Sequence, residues 1–270
     1  MEQGPVLRAS LALDIGLGVF REGSMTIEEP EKTADVVSLS GSPIYRHCDP
    51  TPWEASKGEE FIQEISAHIE KHLGPVETVY HEVVSDTVHI DVHIVKPTVE
   101  SPFIRLVTSG MSDLPMTTPD DVGVPKYAEL MITLPADWKI DQASFKDESW
   151  YWPIRLIKGL ARLPHKYQTW LGFGHTVPNG DPAEPYAPNT DLCGAIVLPS
   201  VTVPSEFQVL EIPGIKTVTF YSVVPLYAQE MEFKLRHGTD KLLDRFDRKG
   251  LKDVVSVKRA DVTVKRFGAW

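Results

Sequence analysis

Three polar side chains that could bind a metal ion alternate along one segment of the sequence. They form the motif His89-x-Asp91-x-His93, and the period of two in a β-strand places all three on the same face. Imidazole and carboxylate groups bind first-row transition metals, and His175 from a later loop could supply a further ligand. The same alternation is typical of the polar side of a half-buried strand. We prefer this second interpretation, because nine histidines in one chain make chance pairings common.

A second polar segment follows a predicted strand and consists of Thr108, Ser109, Gly110, Met111, Ser112 and Asp113. A serine at the end of a strand is the nucleophile of many hydrolases, where it lies within a Gly-x-Ser-x-Gly turn. Here Val107 occupies the position of the first glycine. We therefore expect Gly110 to form a turn with positive φ, and we do not expect a catalytic serine.

A glycine-containing segment, Gly172-Phe173-Gly174-His175, opens a long irregular stretch that extends to residue 194 and contains four prolines. No Gly-Lys-Ser/Thr follows it, so it is not a phosphate-binding loop, and it also lacks the spacing of a dinucleotide-binding motif. The glycines are typical of the exit from a strand, although a long loop of this kind is often functional or disordered. Cys193 with His175 as its base is an alternative, but no basic residue flanks Cys193.

Apolar periodicity predicts the elements that position these residues. Residues 57–73 predict a helix with Ser56 and Glu59 as its capping box, ended by Gly74. β-Branched runs predict a hairpin of strands 78–84 and 87–95, then strands at 103–108 and 127–134. An antiparallel meander with one covered face fits this alternation, and it leaves the His-Asp-His side available for function.

Helices and strands continue in the second half of the chain. A helix is predicted at 153–163, because proline suits a first helical position and Pro164 would stop the helix. Further strands are predicted at 195–198, 207–212 and 216–224, and helices at about 226–237 and 239–250, while residues 254–270 could add an edge strand. The pattern predicts an α+β fold with a mostly antiparallel mixed sheet covered by helices.

The formal net charge of −11 restricts the partners. Phosphate binding needs clustered Lys and Arg, so DNA, RNA and anionic membrane surfaces are not expected, whereas a basic or neutral protein is compatible. Cys48 and Cys193 do not form a disulfide framework. No export signal or membrane-spanning run is recognisable, and we therefore expect a cytoplasmic protein.

The chain is expected to hold one main domain. Residues 1–45 are rich in turn-forming and charged residues, and Gly23-Ser24-Met25 resembles a cloning junction or an internal start. We interpret this part as a loosely ordered leader that is partly non-native. Residues 46–262 contain no linker and are predicted to form the domain, and residues 263–270 are predicted to form a tail.

Six segments together resemble the suppressor of fused domain family. They are HIDVHIVKP at 89–97, TSGMS at 108–112, ELMITLPADW at 129–138, WPIR at 152–155, GFGHT at 172–176, and PLY at 225–227 followed by KLRHG at 234–238. The resemblance covers about residues 45–262, and the chain resembles the bacterial single-domain type of this family. It implies the α+β fold of the N-terminal half of the animal protein, which is a non-enzymatic regulator that clamps a peptide as an added strand.

The resemblance implies a function in protein binding and no catalytic residue. The chain ends where the animal N-terminal domain would end, so the animal peptide clamp is not expected to carry over. Bacterial relatives have been proposed as immunity proteins, and we expect a toxin or an extended peptide as the partner, with no cofactor. The expected contact residues are His89, Asp91, His93, Ser109, Gly110, Met111, Ser112, Asp113, Gly172, Gly174 and His175. The alternative is a metal-assisted hydrolase that uses His89, Asp91, His93 and His175.

Overall fold

The computed structural model describes residues 14–17, 36–47, 50, 61–80, 89–119 and 123–264. Within these ranges the chain forms one mixed sheet flanked by α-helices. The strands are β1 (Asp14–Leu17), β2 (Val36–Val37), β3 (Pro43–His47), β4 (Val76–Tyr80), β5 (Asp91–Val95), β6 (Phe103–Ser109), β7 (Tyr127–Pro135), β8 (Thr176–Pro178), β9 (Gly194–Leu198), β10 (Val209–Ile212) and β11 (Lys216–Leu226). The helices are α1 (Ile62–Leu73), α2 (Glu148–Lys166), α3 (Ala228–His237) and α4 (Thr239–Lys249).

The strands follow one another across the sheet in the order β2-β3-β1-β8-β9-β11-β7-β6-β5-β4, and β10 pairs with the first part of β11. Strands β4 to β7 form the predicted antiparallel meander. The parallel pairs are β1 with β3, β1 with β8, and β7 with β11. The prediction of an α+β fold with a mostly antiparallel mixed sheet covered by helices is confirmed.

Both faces of the meander are buried along β5, β6 and β7. On one face, alternate residues of β5 such as Val92 pack in a cluster with Trp152 of α2. On the other face, Val95 packs in a cluster with Ile69 of α1, and all five residues of β5 are buried. The expectation of one covered face was wrong, because α1 packs on the side of the sheet that bears the His-Asp-His motif.

Helix α2 is longer at both ends than the sequence predicted. It begins at Glu148, where the Asp147 side chain accepts a hydrogen bond from the Ser149 N–H at 2.9 Å, and it continues through Pro164 to Lys166. Pro153 therefore lies inside the helix, where it cannot donate to the carbonyl of Ser149. The side-chain amide of Asn189 donates to that carbonyl at 3.4 Å. This long-range contact helps the helix to tolerate a proline that would otherwise mark its start.

Most other predicted elements agree with the structure to within two residues. The capping box of α1 and the turn between β4 and β5 lie outside the described residues. Residues 254–264 do not form an edge strand, since Val254 makes an isolated parallel bridge to Thr133. Arg259 holds this segment in place by a bidentate ion pair with the buried Glu230 of α3, at 2.6 and 2.5 Å.

The described part of the predicted leader contributes to the sheet. Strands β2 and β3 pair with each other, and β1 links β3 to β8. The domain boundaries at residues 45 and 262 stay predictions. No helix within the described ranges is both long enough and apolar enough to cross a bilayer.

Candidate functional site

The His-Asp-His motif and the polar segment after β6 meet at one end of the sheet. Asp91 lies opposite Ser109 in the register of β5 and β6. The His93 Nε2 and the Ser109 Oγ are 2.9 Å apart and share a hydrogen bond inside the protein. His89 lies at the rim, with its Nε2 3.3 Å from the Asp91 Oδ1, and its side chain is 30% exposed. Strands β7 and β11 begin at this same end, and we call it the sheet end.

A sharp turn at Gly110 connects β6 to the residues beneath the sheet end. Gly110 has a φ of 104°, which confirms the predicted positive φ, and a 3-10 turn follows it at Met111–Asp113. A Cβ atom at this position would lie 2.1 Å from the carbonyl oxygen of His89. Only glycine allows the two backbone segments to approach this closely.

The carboxyl group of Glu129 is the centre of a buried network below this turn. Its Oε2 accepts from the Thr108 hydroxyl at 2.6 Å, and its Oε1 accepts from the N–H and the hydroxyl of Ser112 at 2.9 and 2.7 Å. The Thr108 Oγ also accepts from the Leu130 N–H at 2.8 Å, where the register of β6 and β7 ends. One side chain therefore joins two strands and the turn that follows them.

Burial controls the protonation of Glu129. The side chain is fully buried, and desolvation raises the pKa of its carboxyl group from 4.5 to about 7, with a smaller contribution from Asp113. The hydrogen bonds from Thr108 and Ser112 act in the opposite direction, because they favour the charged form. Desolvation is the larger effect.

Two further side chains fix the turn from outside this network. The Lys216 Nζ, at the start of β11, donates to the Ser112 carbonyl at 2.7 Å and lies 3.7 Å from the centre of the Phe61 ring. The His165 Nε2, near the end of α2, donates to the Met111 carbonyl at 2.7 Å. Burial lowers the pKa of His165, which favours the neutral imidazole. The turn is thus attached to β11 and α2 as well as to β7.

His175 does not join the His-Asp-His motif. It precedes β8, which lies five strand spacings from β5, or about 24 Å across the sheet. Burial lowers the pKa of His175 to about 3, so the imidazole is neutral. In the described part of the chain, no group of three or more His, Cys, Asp or Glu side chains is arranged to hold a metal ion. The four-residue hydrolase site expected as the alternative is therefore not assembled.

The surroundings of the two glycines and the cysteine near His175 favour a structural role over a chemical one. Gly174 has a φ of 80°, and a Cβ there would lie 3.1 Å from the Thr239 hydroxyl. A Cβ at Gly172 would be 3.5 Å from Val124, which is ordinary contact. Burial raises the pKa of the Cys193 thiol, which disfavours the nucleophilic thiolate.

Most of the expected contact residues are buried. Only His89 and Asp113 are partly exposed, and nine residues are buried, namely Asp91, His93, Ser109, Gly110, Met111, Ser112, Gly172, Gly174 and His175. A buried side chain cannot touch a partner unless the fold opens. Partner contact at these positions stays a prediction, since nine of the eleven residues lie inside the fold.

Sequence reasoning missed the residues that organise the sheet end. Glu129, His165 and Lys216 were not singled out, although each makes a buried polar contact there. The available signal was one acidic residue, Glu129, within the apolar strand at 127–134. A carboxylate in such a strand must find hydrogen-bond donors, and the hydroxyls of residues 108–112 could have supplied them.

Comparisons with known proteins agree on one family. The family model described as Suppressor of fused protein (SUFU) matches residues 86–260, which is more than half of the chain. The chain is similar to the crystal structure of a SUFU homolog from Neisseria gonorrhoeae FA 1090, with a TM-score of 0.56 and 17% identity over 76% of this chain and 98% of that chain. It is also similar to a chain of the Sufu-Fu complex crystal structure, with a TM-score of 0.51 and 15% identity over 77% and 93%. No curated protein matches the sequence.

Replacing Gly110 by alanine is predicted to destabilise the protein strongly. The new Cβ meets both a positive φ and a backbone carbonyl, so the loss in unfolding free energy should exceed the roughly 1–2 kcal/mol that positive φ alone costs. Gly214→Ala is the matched control, since Gly214 has a φ of 72° and no atom within 4 Å of its would-be Cβ. Urea unfolding measures both variants, and equal losses would contradict the role of the close approach to His89.

Replacing Glu129 by glutamine is predicted to change the pH dependence of stability. Because the folded pKa lies above 4.5, the folded protein keeps a proton that the unfolded chain has lost between pH 4.5 and about 7. The unfolding free energy of the natural protein therefore falls across this window. Glutamine does not titrate, so the unfolding free energy of the variant should rise relative to that of the natural protein by on the order of 3 kcal/mol between pH 4.5 and 7. Above pH 7 this difference should stay constant.

Urea unfolding at a series of pH values tests the role of Glu129. Glutamine is isosteric, and its amide can donate to Thr108 while its oxygen accepts from Ser112. A difference between the two proteins that stays constant from pH 4.5 to 8 would show that the carboxyl group does not titrate in this window.

Proposed function

This chain belongs to the suppressor of fused protein family, and from that membership we propose that it is a non-enzymatic protein-binding module. The Sufu-Fu complex gives a family member in a complex with another protein. The groups that resembled a catalytic site from their spacing either contribute to a buried network or lie about 24 Å apart across the sheet. Their positions favour binding by a surface over chemistry in a cleft.

The outer edge of β10 is the observation that carries this proposal. Among the described strands, β10 pairs only with β11, so no described strand pairs with its other edge. Apolar side chains are exposed along it and beside it, with exposed fractions of 45% at Val209, 62% at Ile215 and 71% at Val201. The Gln208 side chain donates to the Ser200 carbonyl at 3.0 Å, which holds the segment of Val201 beside β10.

An open apolar strand edge suits an extended segment of a protein partner. Main-chain hydrogen bonds add the segment to the sheet, and apolar side chains on both sides provide contact area. The hairpin between β10 and β11 ends at the sheet end, where His89 and Asp113 are partly exposed. Strand β5 lies four strand spacings from β10, or about 19 Å, so one partner could touch the edge and these two residues.

Val209→Lys is predicted to weaken partner binding without changing the fold. A lysine on an edge strand opposes pairing with another strand, and Val209 is too exposed to contribute much to the core. The matched control is Val99→Lys, at a valine that is 94% exposed in the connection between β5 and β6. Both variants should have the thermal midpoint of the natural chain.

Cross-linking and affinity purification of the tagged chain from its source cells measures the binding. The recovered stoichiometric partner should drop by about tenfold for Val209→Lys, a change of roughly 1.4 kcal/mol in binding, and should be unchanged for Val99→Lys. Recovery of no partner by the natural chain, or equal recovery by both variants, would count against binding at this edge.

We further propose that the partner is a toxin and that the chain is its cytoplasmic immunity protein. The support is the resemblance to bacterial single-domain members of the family, together with a net charge of −11 that would attract a basic partner. The immunity function can fail while the proposed binding at the β10 edge holds.

Co-expression provides the test of the immunity function. Expression of the secreted protein encoded beside this gene should stop growth of a host cell, and the natural chain and Val99→Lys should restore growth. Val209→Lys should restore it much less. A neighbouring gene whose product is harmless, or toxicity that the natural chain does not relieve, would refute the immunity function and leave general protein binding untouched.

A further inference from the structure

A groove runs along the exposed side of α2. It has a volume of about 270 Å³ and lies between the helix and residues 177–180. Its inner surface is apolar and includes the buried side chains of Leu160, Leu163, Val177 and Tyr186. The ring of Tyr186 stacks on Trp152 of the core, with centroids 5.1 Å apart, and this fixes one wall. A space of this size and polarity fits one large apolar side chain.

Gly159 has no structural reason to be glycine, and it lines this groove. It lies in the interior of the 19-residue helix α2, is exposed, and does not have a positive φ. A Cβ at this position would meet no atom within 4 Å. Glycine lowers helix stability relative to alanine, so the fold alone would favour a side chain here. The missing side chain keeps the groove open.

Positive charges border the groove on the same face of the helix. Arg155 and Lys166 both line it, and eleven residues of α-helix separate them by about three turns, or 16 Å. No acidic residue is found among the described residues that line the groove. Arg155 donates to the Tyr186 carbonyl at 2.9 Å and to Glu148 at 2.6 Å, so it links the helix to the opposite wall.

We infer that this groove binds a short acidic segment of a protein partner, with one apolar side chain inserted over Gly159. Carboxylates on either side of that side chain would reach Lys166 and Arg155, and the one at Arg155 would share this guanidinium with Glu148. The net charge of −11 acts on the approach of the whole partner, whereas Arg155 and Lys166 act at contact distance, within the screening length of about 8 Å at physiological ionic strength. The inference rests on the proposed protein-binding function but uses a surface other than the β10 edge.

A fluorescein-labelled peptide tests the groove directly. The probe has one central leucine flanked by glutamates, and two matched peptides replace either the leucine by glycine or the glutamates by lysines. Fluorescence anisotropy with the full chain should detect the first peptide and show at least about tenfold weaker binding of the other two, and binding should weaken as salt rises. Absence of binding by the leucine–glutamate peptide overturns the inference.

Two substitutions at Gly159 distinguish an effect on binding in the groove from an effect on helix stability. Gly159→Leu fills the groove, whereas Gly159→Ala adds one methyl group, and both favour the helix. Each should raise the thermal midpoint by roughly 2–4 °C. Gly159→Leu should weaken the peptide by at least about tenfold and Gly159→Ala by much less, and Lys166→Glu should weaken it without a change in fold. Equal affinities for the leucine and alanine variants overturn the inference.

The oligomeric state tests whether a second copy of this chain occupies the groove instead of an acidic segment. If the natural chain is a dimer by light scattering and Gly159→Leu makes it a monomer, the groove belongs to a second copy and the inference is wrong. The two proposals also fail separately. If Val209→Lys loses its cellular partner and the natural chain does not bind the peptide, the β10 edge remains supported and the groove proposal is wrong. If Val209→Lys keeps its partner and the natural chain binds the peptide, the groove remains supported and the β10 proposal is wrong.

Discussion

The structure of the sheet end depends on the hydrogen bonds that the buried carboxyl group of Glu129 makes. The carboxyl group takes hydrogen bonds from Thr108 and Ser112, and these residues stand on either side of the turn at Gly110. A group that is fully buried and desolvated is costly unless its hydrogen bonds are satisfied, so the turn has little freedom to move away from it. Ser109 directly precedes this turn, and the register of β5 and β6 places it opposite Asp91 and within hydrogen-bond distance of His93.

The network explains why residues of types that are common in catalytic sites have a structural role here. A histidine, a serine and a carboxylate usually indicate catalysis when they lie close together. In this protein the His93 imidazole and the Ser109 hydroxyl bond to each other inside the sheet, and the Glu129 carboxyl bonds to neighbouring hydroxyls. Among the described residues, the exposed features include an edge of β10, two partly exposed polar residues at the sheet end and a groove on α2. The proposed binding functions rest on these features.

Much of the fold was predictable, because it rests on local patterns. Alternation of β-branched residues located β6, β7, β9 and β11, and apolar periodicity located α3 and α4. Gly110 was also correctly predicted to have a positive φ. The errors came where distant contacts override local preference. Pro153 favours a helix start on local grounds, but the Asp147 cap and the Asn189 side chain allow α2 to begin earlier and to include the proline.

The sequence by itself determined strands β4 to β7 and β9 to β11, their alternation and the family, since each depends on the order of neighbouring residues or on matched segments. Only the tertiary structure decided what each polar side chain does. Alternation places His89, Asp91 and His93 on one face of β5, but it cannot say whether that face meets water or a helix. The packing of α1 buried that face, and the strand order put His175 about 24 Å away across the sheet. Burial and distance between remote segments are properties of the whole fold, and no local pattern encodes them.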